Sequence, residues 1–329
     1  MSKEIQQIAF KEHIRKRPGM YLGGVGSKGI ILLLKGLVSN CIEVSATDHY
    51  FFQIELVPDD EYRLIIEASD DIASFKKTIN NSDDFENFHL KVCEALSSSF
   101  KLTTEDNNKL ILNFKLDKTI FKEAVDYPEL YESFLQWTTL NRNSEVLLID
   151  KRERFLSQNY FSFPKGVKYL YDRMVKEALG KPEFEIFFDG ELGGLKYQIF
   201  LGYRTDWYPS STIVSFANDA HTVCGGSLVE GITSGLIAGC RKYVKDNNLT
   251  DFKIRKKKFN NGLILVASVR GSELTYGGSF KETLEDDKVR KDAKKLMKQL
   301  TTDFILNDKE KADKFLWRFD EKQLTSGIY

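Results

Sequence analysis

Few residue types in this 329-residue sequence stand at spacings that announce a chemistry by themselves. The glycines of Gly23-Gly24-Val25-Gly26-Ser27-Lys28-Gly29 could cradle a phosphate through their backbone N–H groups. The run lacks the G-x-x-x-x-G-K-S/T spacing of a P-loop, however, and no strand precedes it. Asp70 and Asp71 close a β-rich run, where a carboxylate pair usually caps the following turn. Asn40 sits inside an apolar stretch, as a hydrogen-bonded core amide does, and Lys281 sits in a glycine-containing loop, where lysine is commonly solvated. Cys41, Cys93, Cys224 and Cys240 are scattered without a CxxC pair, which argues against a zinc site or disulfide framework and for buried thiols. Two basic runs remain, Arg255-Lys256-Lys257-Lys258 and the stretch from Lys288 to Lys298. The second interleaves with apolar positions at helical spacing, and both read as solvated faces rather than phosphate sites.

The elements that must position these residues follow from periodicity. The apolar run IILLLKGLVSNCIEV predicts one buried helix over about 29–45. FFQIELV (51–57) and YRLIIEA (62–68), separated by PDDE, predict an antiparallel hairpin. Further along, spacing and composition predict a helix at about 83–98, a strand at 109–116, a helix at 127–140, a strand at 144–150 and a helix at 167–179. DGELGG at 189–194 breaks the pattern and marks a domain boundary, giving domains 1–190 and 191–329. Beyond it come two β-type runs, LKYQIFLGYR and STIVSFAN, and a glycine-led helix with Leu228, Ile232, Leu236 and Cys240 on one stripe. A strand in NNGLILVASV, a long amphipathic helix over about 285–306 and a charged tail with Trp317 complete the chain. The fold class is α+β.

Composition sets the outer limits. With 42% hydrophobic residues and 48 basic against 48 acidic side chains, the chain can bury two ordinary cores and has no overall electrostatic pull toward nucleic acid. No apolar run approaches the roughly 20 residues of a membrane span, and the N-terminal stretch has no signal-peptide character, so the expected location is cytoplasmic.

Three strings carry a family resemblance. Ile14-Arg15-Lys16-Arg17-Pro18-Gly19-Met20-Tyr21-Leu22-Gly23 resembles the opening of the B subunits of DNA gyrase and topoisomerase IV. Ser215-Phe216-Ala217-Asn218, Thr222, Gly225-Gly226-Ser227 and Glu230-Gly231 resemble the family's passage from transducer strands to transducer helix. Asn261-Gly262-Leu263 through Ser268-Val269, then Gly278-Ser279-Phe280-Lys281-Glu282-Thr283-Leu284, resemble the strand and loop that bring a lysine to the nucleotide. The resemblance implies a Bergerat-type α/β sandwich followed by a smaller α/β transducer domain. It also implies ATP and Mg²⁺ as cofactors if the site still functions, closure as a homodimer, and a topoisomerase subunit or DNA as partners. No counterpart of the DNA-breaking half is expected, so the chain should not cut DNA by itself.

Matched position by position, the family's machinery is largely missing. The general-base position falls at Gly36, one helical turn before Asn40, the position of the Mg²⁺-ligating Asn. The adenine-contacting position falls at Asp70 or Asp71, without the glycine turn that should follow. The glycine-rich lid is sought at 99–116, which contains no glycine. Lys281 keeps its type. The expected function is therefore a non-catalytic, dimer-forming interaction or regulatory module. The alternatives are a slow ATPase or ATP-binding switch, and a regulator associated with DNA or topoisomerase.

Overall fold

Alternating apolar and polar residues build the first sheet. In the computed structural model, which describes residues 10–45, 47–70, 87–178, 182–204, 210–249, 254–278 and 281–320, β1 (Tyr50–Val57) and β2 (Glu61–Ala68) form the predicted antiparallel hairpin. Its turn holds Asp59 and Asp60 at φ 65° and 59°, in the left-handed region that Asp tolerates better than most residues. β3 (Ser97–Glu105) and β4 (Lys109–Leu116) extend the sheet beyond β2, β5 (Ser144–Asp150) runs parallel to β1, and β6 (Ser157–Ser162) forms the other edge. The strand order is β3-β4-β2-β1-β5-β6.

One face of this sheet carries Phe52, Ile54, Leu64, Leu112 and Leu148, all at most 1% exposed. Trp137 of α5 (Tyr127–Leu140) meets Phe52 edge-on at 5.6 Å and donates its indole N–H to Ser39 Oγ of α3 (Ser27–Ser45) at 2.8 Å. Each fully buried apolar side chain of this kind contributes about 1.5–3 kcal/mol. Two short helices, α1 (Phe10–Lys16) and α2 (Pro18–Leu22), lead into α3, and α4 (Phe88–Leu96) leads into β3. All of these belong to the first of two compact units, Met1–Pro164, the second being Lys165–Tyr329.

In the second unit, β7 (Pro182–Leu192), β8 (Leu195–Arg204), β9 (Thr212–Ala217), β10 (Ala220–His221) and β11 (Leu263–Arg270) form a sheet of order β10-β9-β11-β8-β7. Helix α6 (Lys168–Glu177) precedes it. Helix α7 (Ser227–Asp246) buries Leu228, Ile232, Leu236 and Cys240, as the periodicity predicts, against the core shared with α8 (Asp287–Asn307) and α9 (Lys309–Trp317). A two-stranded ribbon, β12 (Tyr276–Gly277) with β13 (Thr283–Leu284), lies between β11 and α8.

Several expectations change. The helix sought at 83–98 is described only as α4, and β3 starts at Ser97; residues 83–86 lie outside the described residues. The segment 99–116 is no lid but the β3–β4 hairpin, its core side filled by Leu102, Leu110, Leu112 and Phe114. DGELGG is the end of β7 and the tight turn into β8, with Gly193 and Gly194 of the turn at φ 61° and 79°. The unit boundary falls at Pro164–Lys165 instead of 190–191, because Tyr171 of α6 packs on Phe187 of β7 and Phe200 of β8, inside the second unit. Finally, Cys41, Cys93 and Cys240 are buried but Cys224 is exposed, in the loop that precedes α7.

Candidate functional site

Helix α3 places Gly36 and Asn40 one turn apart, and α4 packs beside it. A Cβ built on Gly36 would stand 2.1 Å from His89 Cδ2 and 2.5 Å from both Cγ and Nε2, so the imidazole of His89 lies on the bare Cα. Sequence reasoning, which searched for a carboxylate at this turn, missed the histidine. Burial holds the His89 imidazole below its ordinary pKa, so it is neutral at pH 7. Around it runs an aromatic wall. Phe88 meets His89 edge-on at 5.3 Å, Tyr21 of α2 lies 5.8 Å from Phe88, and the Tyr21 hydroxyl bonds His13 Nδ1 of α1 at 2.6 Å.

Asn40 is buried, 7% exposed. A second amide, not singled out from the sequence, heads α4: Asn87 is 1% exposed, and neither its Oδ1 nor its Nδ2 meets a hydrogen-bond partner among the described residues. Nothing in the sequence distinguishes it from an ordinary helix-capping Asn, yet its side chain caps no backbone N–H. Asp70 is exposed at the end of β2, where it accepts a hydrogen bond from Ser69 Oγ at 3.1 Å; Asp71 lies outside the described residues. Lys281 belongs to the second unit. It is exposed, at φ 60°, with Nζ 5.0 Å from the ring centroid of Tyr276, whose hydroxyl donates to the Ala217 carbonyl.

Among the described residues, no group of three His, Cys, Asp or Glu side chains is placed to hold a metal ion. The first unit's glycines, Gly19, Gly23, Gly24, Gly26, Gly29 and Gly36, all precede Leu37, so 37–164 contains none to let a backbone wrap phosphates.

The strings that carry the resemblance hold the fold together. Arg15 donates to the Ala95 carbonyl at 2.8 Å and pairs with Asp117, tying α1 to the end of α4. Pro18 opens α2, and Gly23 ends it at φ 67°. Asn218 clamps Gly271 through both amide atoms, at 2.9 and 3.0 Å, and the Ser215 and Thr222 hydroxyls bond each other at 2.6 Å. Gly226, at φ 101°, admits Leu284 so closely that a Cβ would stand 2.2 Å from its carbonyl oxygen.

Comparison with known proteins agrees with this architecture. The model of the family described as DNA gyrase B matches residues 166–325. The DNA gyrase B subunit of Spiroplasma citri is 24% identical over 374 aligned positions, covering 96% of this chain and 58% of the relative. Those positions outnumber the chain's 329 residues, so the relative carries segments that this chain lacks. The structure of the DNA gyrase B-subunit from Myxococcus xanthus superposes with a TM-score of 0.77 at 20% identity, covering 94% of this chain and 100% of that one. The 43K ATPase domain of Thermus thermophilus gyrase B, solved with an aminocoumarin, gives 0.72 at 16% identity, covering 93% and 92%. The architecture is thus the mixed α+β one of the ATPase-and-transducer region of type II topoisomerases. The chain is a homologue of the ATPase half of gyrase B. It spans 58% of the length of the Spiroplasma relative. No described helix is long and apolar enough to cross a membrane.

Proposed function

We propose that this chain is a non-catalytic, dimer-forming interaction or regulatory module, cytoplasmic, built on the ATPase half of a gyrase B-like protein. The observation that carries the reading is the His89 ring on Gly36: the volume into which a base carboxylate would project from that turn is occupied by a neutral imidazole. A missing general base removes typically ~10²–10⁴-fold in rate, and the absence of glycine from 37–164 removes the backbone that would position the phosphates. Lys281 resting over Tyr276 supports the same reading. Steady-state phosphate release with ATP and Mg²⁺ is the test, and no turnover above background is expected. Turnover at an ordinary enzymatic rate that Asn40→Ala abolishes would sink the proposal. Self-association, argued by analogy with relatives that act as twofold assemblies, is checked by sedimentation; a strict monomer at high concentration, with and without ATP, counts against it. Whether the partner is a second copy, a topoisomerase subunit or DNA is resolved by the same experiment with those additions.

A second reading, an ATP-binding switch, draws on Asn87. A buried amide without a partner is uncommon, and its place at the head of α4, with Asn40 retained on the neighbouring α3, suits a polar ligand. In that reading Asn40, Asp70, Asp71 and Lys281 would serve nucleotide and metal. Calorimetry with a non-hydrolysable ATP analogue decides: binding weakened by both Asn40→Ala and Asn87→Ala favours the switch, and no heat favours the module.

A further inference from the structure

The four edges of the two large sheets are not alike. β3, β6 and β10 have 9, 6 and 2 residues, whereas β7 has 11, the longest edge strand among the described residues. One side of β7 is bonded to β8 nearly end to end, and no described strand lies on the other. An edge of this length presents a row of backbone donors and acceptors that proteins commonly blunt with charge. On β3 the exposed charges are of mixed sign, Lys101 and Glu105. On β7 they are of one sign. Glu185, Phe187, Asp189 and Glu191 are exposed at alternate positions on one side of the strand, at steps of roughly 7 Å, and the exposed Glu183 precedes them at a register shift between Pro182 and Phe184.

This pattern discriminates between occupants. Two copies of the chain paired edge to edge would bring the carboxylate rows together, and like charges directly opposite are destabilising, so a second copy is disfavoured. At the centre of the row Phe187 is 44% exposed, held from below by Tyr171 edge-on at 5.4 Å and approached by Lys168 Nζ at 5.6 Å from its centroid. Glu185 accepts from the Tyr171 hydroxyl at 2.8 Å and Asp189 from Gln198 Nε2 at 3.1 Å, so these carboxylates are fixed in place. We propose that the β7 edge receives an extended basic segment of a partner protein as an added antiparallel or parallel strand. The segment's Lys or Arg side chains, at alternate positions, would face the four carboxylates, and an apolar residue between them would cover Phe187. Main-chain hydrogen bonds would supply affinity and the charge row specificity. The inference concerns a surface of the second unit and holds whether or not the first unit binds nucleotide.

The probe is a fluorescein-labelled peptide, KTKTVTKTK, titrated into the full chain at low salt and read by anisotropy. Two N-methylated versions carry the methyl groups on alternate amides, one on the odd and one on the even positions. Saturable binding is expected, at least tenfold weaker for the Glu183→Lys/Glu191→Lys double variant and for one N-methyl version but not the other. Hydrogen exchange should show slowed β7 amides with the bound peptide. The changed side chains are exposed, and circular dichroism of the variant checks that it is folded. Absence of binding up to about 1 mM peptide, a range that still detects weak complexes, overturns the proposal. So does equal affinity for both N-methyl versions, which signals charge attraction without strand pairing, and so does indifference to the charge reversal.

Discussion

Two helix pairs in this molecule depend on missing Cβ atoms, and they use the space differently. Between α3 and α4, a single glycine, Gly36, makes room for a side chain, the His89 ring. Between α7 and α8, three glycines in a row, Gly231, Gly235 and Gly239, make room for a backbone. A Cβ on each would stand 2.7, 2.5 and 3.0 Å from the carbonyl oxygens of Arg290, Lys294 and Lys298. The contacts advance along both helices together, so α7 and α8 run parallel and meet along a seam of about two turns. A ring can withdraw from one glycine by changing rotamer, but a seam cannot be relieved without separating two helices. The seam lies within 166–325, the stretch matched by the gyrase B family model, and the hydrogen-bonded Asn218 and Thr222 clamps lie there as well. Gly231, Asn218 and Thr222 stand in the string that carries the resemblance and hold backbone geometry, whereas Gly36, the position that the resemblance assigns to the general base, has the His89 ring packed on it.

Breaking the seam should have the largest effect. Alanine normally improves a helix by up to ~1 kcal/mol over glycine, yet Gly235→Ala should destabilise the second unit by about 1–3 kcal/mol, because overpacking against a backbone carbonyl finds no flexible atom to yield. Denaturant unfolding reads the sign, and a stabilised variant would mean that the seam is looser than described. The α3–α4 pair should behave differently. Gly36→Ala alone costs about 1–2 kcal/mol by displacing His89, but in a His89→Ala background the same change should become neutral or favourable. A double-mutant cycle should therefore show a coupling of about 0.5–3 kcal/mol. Additive changes would falsify the ring-on-glycine contact. Gly36→Glu sharpens the point: the carboxylate would compete with His89 for one volume, and with no glycine in 37–164 to seat a triphosphate, no Mg²⁺-dependent hydrolysis is expected. Hydrolysis from that single substitution would show an intact pocket.

Periodicity made most of the fold legible, and it failed where periodicity is weak. The apolar run of α3, the β1–β2 hairpin and the Leu228–Ile232–Leu236–Cys240 stripe follow from the sequence, because one buried face writes a 2- or 3.6-residue repeat. β7 was hidden because DGELGG at its end reads as a break in the pattern and a domain boundary, although the glycines there only supply the positive φ of a tight hairpin. β3 was hidden by its exposed, Ser- and Thr-rich strand. The candidate site was legible as a list of losses, Gly36 above all. What replaced the lost group was not, since His89 lies 53 residues away and reaches Gly36 only through the packing of α4 on α3. Asn87 was equally silent, because a capping Asn and a buried Asn with no partner among the described residues are the same letter.

The smallest effect expected is a pH dependence confined to the α3–α4 pair. His89 is held below its ordinary pKa by burial, so the folded chain resists a proton there that the unfolded chain accepts. The stabilising contribution is therefore complete above about pH 6.5, where both states are neutral. It is lost as pH falls through the unfolded value toward the lower folded one. Asp117 does not confuse this window. Its hydrogen bonds with Arg15 and Thr119 hold it at about 2, so its own contribution is present above the ordinary Asp value and fades only in stronger acid. Denaturant midpoints measured at about pH 7.5 and about pH 5.5, a range that brackets the imidazole, should fall more for the native chain than for His89→Phe. Phenylalanine keeps a ring over Gly36 but cannot take up a proton, and the other three histidines are common to both proteins and cancel in the difference. If the two proteins lose stability equally across that range, His89 reaches solvent freely, and the ring does not close the turn at Gly36.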